Sequence, residues 1–198
     1  MSVRTYDEQV VLHRLAGLDR RSRTAFAASC AERLLPLFER YARSVGAPEL
    51  GSRLRAVVAA AWDAASGGEV DVETYQGEAE RMVPSDADEW TLETGYGQSA
   101  AAAAAYAIRT WLTDDPQEAA WAARQVYELA DYAALQGSRG LELNAPGAEA
   151  RVLASSAVQH ALAAIDRTLD AVEARPSTWQ EVRAEAGADG QLWDSVLP

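Results

Sequence analysis

The sequence predicts an all-α protein, a single-domain bundle of about seven to eight helices around a buried alanine-rich central helix. Three observations support this fold class. Apolar residues recur at spacings of three and four along most of the chain, which is the period of an amphipathic helix. Capping residues, prolines and glycines stand where helices would begin and end. No stretch combines strand-like alternation with flanking turn residues.

Two periodic segments open the chain. Residues 6–18 have acidic side chains in the first turn, as a helix start favours. Residues 22–46 carry the longest apolar stripe and end on a glycine. Pro36 lies inside this stripe and is expected to kink the helix, because it lacks an amide donor. The residues expected on the two apolar faces are Val11, Leu15, Leu18, Phe26, Cys30, Leu34, Leu37, Tyr41 and Val45.

Two further helices are predicted in the next third of the chain. Residues 48–68 form an amphipathic segment that ends on a glycine pair. Residues 71–83 begin at Asp71, whose carboxylate is expected to accept a hydrogen bond from the first turn. Residues 84–97 are interpreted as a polar connection.

Six consecutive alanines, residues 100–105, mark the next helix. From Ser99 to Ile108 the segment has almost no polar side, so it is expected to be enclosed by other helices. Alanine has the highest helix propensity, and its small side chain allows neighbouring helices to approach closely. The sequence therefore places this helix in the middle of the bundle.

The following helix, residues 114–135, has the clearest start in the chain. Asp115 is the expected N-cap, Pro116 occupies the first helical position, and Glu118 is placed to complete a capping box. These residue types at these positions satisfy the amide groups that a helix start leaves without partners.

The C-terminal part is predicted to contain one long and one short helix. The long helix covers residues 148–173, and the short one covers residues 177–187. Few residues beyond 187 would hold the tail in place. The chain is therefore divided into an all-helical domain, residues 1–176, and a short C-terminal helix and tail, residues 177–198.

Composition excludes several function classes. All 18 basic residues are arginine, which excludes a phosphate-loop lysine and a Schiff-base lysine. The net charge of −12 disfavours nucleic-acid binding. No signal peptide or membrane-spanning run is apparent, and the single cysteine, Cys30, allows no internal disulfide. A cytoplasmic location is expected.

Several short features occur in a characteristic order along the chain: Phe26, Glu32, Arg33, Pro36, the AAWDAA motif around Trp62, and VPSDADEW at residues 83–90. In this order they resemble the YjaG-like family of bacterial proteins of unknown function (DUF416). The resemblance covers about residues 12–172 and implies an all-helical domain without assigned catalytic residues. Through the genome neighbourhood of such proteins, it also implies an association with histidine-kinase signalling.

A charged pattern repeats on the second predicted helix. The pairs Glu32–Arg33 and Glu39–Arg40 are seven residues apart and return to a similar face across Pro36. They could form a carboxylate–guanidinium site that uses the carbonyl group freed by the proline. The simpler interpretation is a structural polar cluster of ordinary salt bridges at the edge of the core, and we favour it.

The strongest charge feature is the acidic segment, residues 69–93, with nine acids and one arginine. Within it, Asp86, Asp88 and Glu89 stand beside Trp90 and form a candidate partner-binding site for a basic protein. A magnesium or calcium site and a solvated turn with Trp90 packed inward are the alternatives, although the ligand order of an EF-hand is absent.

No catalytic residue, metal site or cofactor is expected. The two histidines, His13 and His160, have no partner at metal-ligand spacing, and His160 is interpreted as a core or boundary residue. Cys30 lies on the apolar stripe and is interpreted as a small buried hydrophobe. Neither a nucleophile elbow nor a glycine-rich phosphate loop is present.

These observations favour a non-enzymatic cytoplasmic protein that binds another protein, in a regulatory role in bacterial signalling. One alternative is an immunity protein that masks a basic toxin with its acidic surface. The other is an enzyme or metal-binding helical bundle, which would require Glu32, Glu39 or His160 to converge in a polar pocket. Neither nucleic acid nor a membrane is an expected partner.

Overall fold

The computed structural model describes residues 3–84, 91–137 and 146–198, and within these residues it contains nine helices and no strand. The predicted all-α fold class is confirmed. None of these helices is both long and apolar enough to cross a bilayer. The helices are α1 (Glu8–Ala16), α2 (Arg20–Ser44), α3 (Glu49–Ala65), α4 (Val72–Arg81), α5 (Leu92–Thr113), α6 (Pro116–Gly137), α7 (Ala148–Leu153), α8 (Ser156–Glu173) and α9 (Gln180–Val196).

Two long helices, α2 and α5, pack against each other at the centre of the bundle. The alanine-rich helix α5 also contacts α3, α4 and α6, so the predicted central position is confirmed. Five of the six alanines in residues 100–105 are buried. A Cβ built at Gly97 would lie 2.5 Å from ring atoms of Tyr41, so the ring of α2 packs directly on the backbone of α5. Small residues therefore bring the two helices close together.

The apolar stripes of the first helices are buried as the sequence predicts. Of the nine residues expected on those faces, Val45 alone is exposed, because it lies beyond the end of α2. The helix itself continues through Pro36 to Ser44. The central part of the core is thus set by periodicity that can be read along the chain.

Two of the predicted helix starts have the expected caps. Asp71 Oδ1 accepts a hydrogen bond from the Thr74 amide at 3.4 Å. Asp115 Oδ1 accepts one from the Gln117 amide at 2.9 Å. The predicted capping box at α6 is wrong in its second half, however, because the amide of Asp115 donates to Thr113 Oγ1 at 3.2 Å.

Glu118 has a different role from the one that its position in sequence predicts. Its carboxylate accepts a hydrogen bond from Arg109 Nη2 at 2.6 Å and is almost completely buried between α5 and α6. Burial raises the pKa of Glu118, while the charge of Arg109 opposes that rise. The tertiary ion pair is therefore formed in place of a local cap.

Three helix boundaries differ from the prediction. The helix α5 begins at Leu92 instead of Ser99, because Thr91 and Thr94 form a reciprocal capping box. The predicted helix 148–173 is interrupted where Ser155 caps α8. The C-terminal segment is not a short helix and loose tail, since α9 extends to Val196 and packs along α2.

Candidate functional site

An open cleft of about 530 Å³ lies where α2 begins, α3 ends and the connection from α8 to α9 crosses. Its walls come from three stretches of sequence, 19–22, 62–66 and 175–183. These stretches are far apart along the chain, so the cleft exists only in the folded protein. We refer to it as the α2–α3–α9 cleft.

The inner wall of the cleft is formed by Trp62, which is 2% exposed. Its Nε1 donates a hydrogen bond to Oε2 of Glu32 on α2, at 2.9 Å. Nε of Arg183 on α9 lies 3.4 Å from the same oxygen. Glu32 thus links α3 and α9 behind the cleft, and its negative charge offsets the positive charge of Arg183.

The outer wall is formed by the half-buried Trp179, which immediately precedes α9. Its Nε1 donates a hydrogen bond to the carbonyl oxygen of Ala65 at 3.2 Å. This bond satisfies a carbonyl group in the last turn of α3 and fixes the indole ring against that helix. The ring is therefore held in position before any ligand arrives.

Two exposed guanidinium groups, those of Arg21 and Arg175, line the cleft. No carboxylate of residues 3–84, 91–137 or 146–198 lies within ion-pairing distance of either group. Arg43 and Arg151 are also exposed without an ion pair, so the distinguishing feature of Arg21 and Arg175 is that both line the same cleft. Arg175 also has a positive φ of 49°, a strained conformation for a residue with a side chain.

Acidic residues also line the cleft, but one of them is engaged by the backbone. Asp19 is the N-cap of α2, and its Oδ1 accepts a hydrogen bond from the Ser22 amide at 2.9 Å. That bond lowers the pKa of Asp19, and the nearby charge of Arg175 lowers it further. The second acid, Asp63, is exposed.

The chemistry of the lining suits binding of an anionic group. Guanidinium groups present several donors in one plane and match the oxygens of a carboxylate or phosphate. The hydroxyl groups of Ser177 and Thr178 add donors on the connection between α8 and α9. Neither histidine nor cysteine lines the cleft, and Ser66 Oγ donates its hydrogen bond to the Trp62 carbonyl oxygen at 2.8 Å.

The four residues of the predicted polar cluster do not meet in one place. The two glutamates face α3, where Glu32 accepts from Trp62 and Glu39 pairs with Arg55. The two arginines, Arg33 and Arg40, contact α9 and the residues after it. Residues seven apart therefore share a face, whereas adjacent residues point to different neighbours.

Arg33 is buried at the junction of α2, α8 and α9, with 1% of its surface exposed. Its Nε donates to Asp189 Oδ2 at 2.9 Å, and its Nη2 donates to Thr168 Oγ1 at 2.7 Å. Its Nη1 donates to Ser29 Oγ at 3.1 Å and also to the Ser29 carbonyl oxygen at 3.2 Å. Each guanidinium nitrogen thus has a partner, which is what a buried charge requires.

Arg40 connects α2 to the C-terminal residues. Its Nη2 donates to the Pro198 carbonyl oxygen at 2.8 Å and lies 3.6 Å from a carboxylate oxygen of Glu93. Its guanidinium group also lies 5.4 Å from the ring centre of Tyr96, which donates its hydroxyl hydrogen to the same Pro198 oxygen. Arg33 and Arg40 therefore both hold the C-terminal region against α2.

The predicted partner-binding residues, Asp86, Asp88, Glu89 and Trp90, lie outside the described residues. Other parts of the acidic segment are described. Glu78 on α4 pairs with Arg53 and Arg81. The acidic residues of this segment that are exposed and have no ion pair among the described residues are Glu69, Asp71, Glu73 and Glu80.

His13, His160 and Cys30 do not come together in a polar pocket. His13 and His160 are both exposed, so the interpretation of His160 as a core or boundary residue is wrong. The buried side of α8 passes instead through Val158 and Leu162. Cys30 is fully buried, and burial raises the pKa of its thiol to about 11. No group of three or more potential metal ligands occurs in the described part of the chain.

Comparisons with known proteins identify relatives of the whole fold. The family profile described as "Protein of unknown function (DUF416)" matches residues 10–190. The crystal structure of a DUF416 family protein from Shewanella baltica OS155 superimposes with a TM-score of 0.73 at 14% sequence identity. The superposition covers 91% of this chain and 93% of that chain, and at this identity it establishes similarity of fold. No curated protein matches the chain.

Proposed function

The chain belongs to the DUF416 family of proteins of unknown function, and from that premise we propose that it is a non-enzymatic binding protein whose α2–α3–α9 cleft takes up a negatively charged group. The observation that supports this proposal is the pair of exposed guanidinium groups, Arg21 and Arg175, which have no ion-pair partner in the described chain. An anionic ligand would supply the missing counter-charge.

The side chains at this site are suited to binding an anion without catalysing a reaction. Arginine stays protonated at physiological pH and cannot accept a proton, so it is suited to holding an anion. The carboxylate of Asp19 is engaged as a helix cap, and that of Glu32 already accepts from Trp62. We place this activity in the cytoplasm of a bacterial cell, where the buried thiol of Cys30 would stay reduced.

Oxyanions are expected to stabilise the protein through these two arginines. At a phosphate concentration one hundred times the Kd, binding adds about 2.7 kcal/mol to the free energy of unfolding. For a chain of this length that corresponds to a rise in Tm of roughly 5–10 °C. Thermal denaturation in sodium phosphate and in sodium chloride of equal ionic strength measures the difference.

The variant R21Q/R175Q should lose this phosphate-specific rise, because both free guanidinium groups are removed. Its matched control is R43Q/R151Q, which removes two exposed arginines that also lack an ion pair but lie outside the cleft. The proposal is wrong if phosphate and acetate fail to raise the Tm of the wild-type chain, or if both double variants lose the effect equally.

Binding of a protein partner is the second candidate function, and the exposed acidic residues of the acidic segment favour it. Glu69, Glu73 and Glu80 have no arginine within ion-pairing distance among the described residues. A basic protein would meet an uncompensated negative surface there. The immunity-protein hypothesis belongs to this candidate, with a basic toxin as the partner.

Charge reversal in the acidic segment tests this second candidate. The variant D86K/D88K is expected to lose a partner that co-purifies with the wild-type chain at low salt. The control E49K/E149K makes the same change in charge at two exposed acids elsewhere and should retain that partner. Retention of every partner by D86K/D88K would show that this part of the acidic segment is not the interface.

A further inference from the structure

The size of the α2–α3–α9 cleft exceeds what a bare oxyanion needs. Its volume of about 530 Å³ lies within the range of roughly 300–1,000 Å³ that is typical of sites for small organic molecules. An inorganic phosphate would fill only a small part of this space. The guanidinium groups account for one end of a ligand, and the remaining volume leaves room for a body attached to it.

The anionic end is expected near the start of α2. Arg21 lies against the turn that follows α3, where a Cβ built at Gly67 would be 2.6 Å from Nη2 of Arg21. Arg175 lies close enough to Asp19, the cap of α2, to influence its carboxylate. The two unpaired guanidinium groups thus line the cleft beside the end of α3 and the start of α2.

The cleft also offers a flat aromatic surface beside these guanidinium groups. Trp179 is half-buried, and its hydrogen bond to the Ala65 carbonyl oxygen, 3.2 Å long, holds the ring in one orientation. Pro176 adds a rigid exposed surface to the same wall of the cleft. Rings fixed in advance lose little conformational entropy when a ligand stacks on them, so they favour binding of a flat group.

The third arginine of the cleft, Arg183, already has a carboxylate partner and is therefore less available to an anionic ligand. Arg183 lies 3.4 Å from Glu32 Oε2, and Glu32 also accepts from Trp62. This side of the cleft is therefore close to neutral beside the indole ring of Trp62. The positive charge that the cleft offers to a ligand therefore comes from Arg21 and Arg175, and the exposed carboxylate of Asp63 is the opposing charge in the lining.

Resting on the proposed function, we infer that the ligand of the cleft is a small organic acid, in which a carboxylate or phosphate group carries a flat apolar body. The anionic group lies between Arg21 and Arg175, and the body lies against Trp179. Carboxylate and phosphate share this recognition chemistry, and the two are separated by the choice of probe.

Calorimetric titration of the wild-type chain tests the inference with two matched pairs of probes. Phenyl phosphate is compared with inorganic phosphate, and benzoate is compared with acetate. The member with the ring is expected to bind at least about tenfold more tightly in at least one pair, equivalent to about 1.4 kcal/mol. The pair that shows the larger advantage identifies the anionic group. Phenol alone is expected to bind more weakly than either aromatic anion.

Three variants locate the effect. W179A should remove the advantage of the ring, so that each ring-bearing probe binds no more tightly than its ring-free partner. W179F, which keeps an aromatic ring, should retain much of that advantage. R21Q/R175Q should weaken binding of both members of each pair. Because the comparison of probes uses the unaltered chain, it stands even if W179A fails to fold.

The outcomes separate this inference from the proposed function. If ring-free anions bind through the two arginines and the ring adds nothing, the inference is wrong and the proposed function stands. If no anion binds, both are wrong. If the ring-bearing probes bind equally well to R21Q/R175Q, they bind elsewhere and the inference is overturned.

Discussion

Replacing Arg33 by methionine is expected to lower the free energy of unfolding by about 3 kcal/mol, which is the lower end of the range for breaking a buried ion pair. The substitution would leave Thr168 and Ser29 without their donor and remove one partner of Asp189. The cost stays at the lower end because Arg167 Nη2 also lies 3.2 Å from Asp189. Urea denaturation measures the change, which for a chain of this length corresponds to a fall in Tm of roughly 6–12 °C.

A second substitution tests whether the loss arises from the buried charge. In R33M/D189L the carboxylate that Arg33 leaves behind is also removed, so part of the lost stability should return. The surface variant R53M breaks only the exposed pair with Glu78 and should cost less than about 1 kcal/mol. Equal stabilities for R33M and R53M would contradict the structural role of Arg33.

Local features of the sequence predict most of the bundle. The helix caps at Asp71 and Asp115 and the apolar stripe of α2 depend on residues only a few positions apart. The central position of α5 could be inferred because a helix with no polar side has to be enclosed. Each of these predictions uses information contained within a single helix.

The roles of Glu118 and of the predicted polar cluster, Glu32, Arg33, Glu39 and Arg40, could not be predicted from neighbouring residues alone. The position of Glu118 suits a capping box, yet a stronger partner, Arg109, is supplied by the preceding helix. The seven-residue spacing correctly places Arg33 and Arg40 on one face, but the sequence does not indicate that this face meets α9. Tertiary partners decide the role of such residues, and they are distant in sequence.

The candidate cleft could not be predicted for the same reason. Arg21 and Arg175 are 154 positions apart and form no recognisable motif. The sequence does offer a weak signal in residues 175–179, where an arginine and a proline follow one predicted helix and a tryptophan lies in the first turn of the next.

The helix α9 extends beyond the residues 177–187 that the sequence predicts, because its packing uses glycine. A Cβ built at Gly190 would lie 2.7 Å from the Arg33 carbonyl oxygen and 3.2 Å from Cδ of Pro36. The helix therefore touches the backbone of α2 at this point. Glycine lowers helix propensity, so the residue that permits the close contact also weakens the local prediction of a helix.

The variant G190A is consequently expected to destabilise the protein, although alanine normally favours a helix by about 1 kcal/mol over glycine. The new methyl group would meet backbone atoms, which no rotamer change can relieve, and overpacking of this kind costs about 1–3 kcal/mol. The helix α9 would have to move away from α2, and its first turn carries part of the cleft. Weaker binding of phosphate should therefore accompany the fall in the urea midpoint.

Gly187 provides the matched control on the same helix, because a Cβ there has no neighbouring atom within 4 Å. G187A should stabilise the protein by about 0.5–1 kcal/mol through propensity alone. The difference in unfolding free energy between G187A and G190A then isolates the overpacking cost of about 1–3 kcal/mol. If both substitutions stabilise the chain equally, α9 does not lie against the backbone of α2, and the cleft that this contact helps to form would be lost with it.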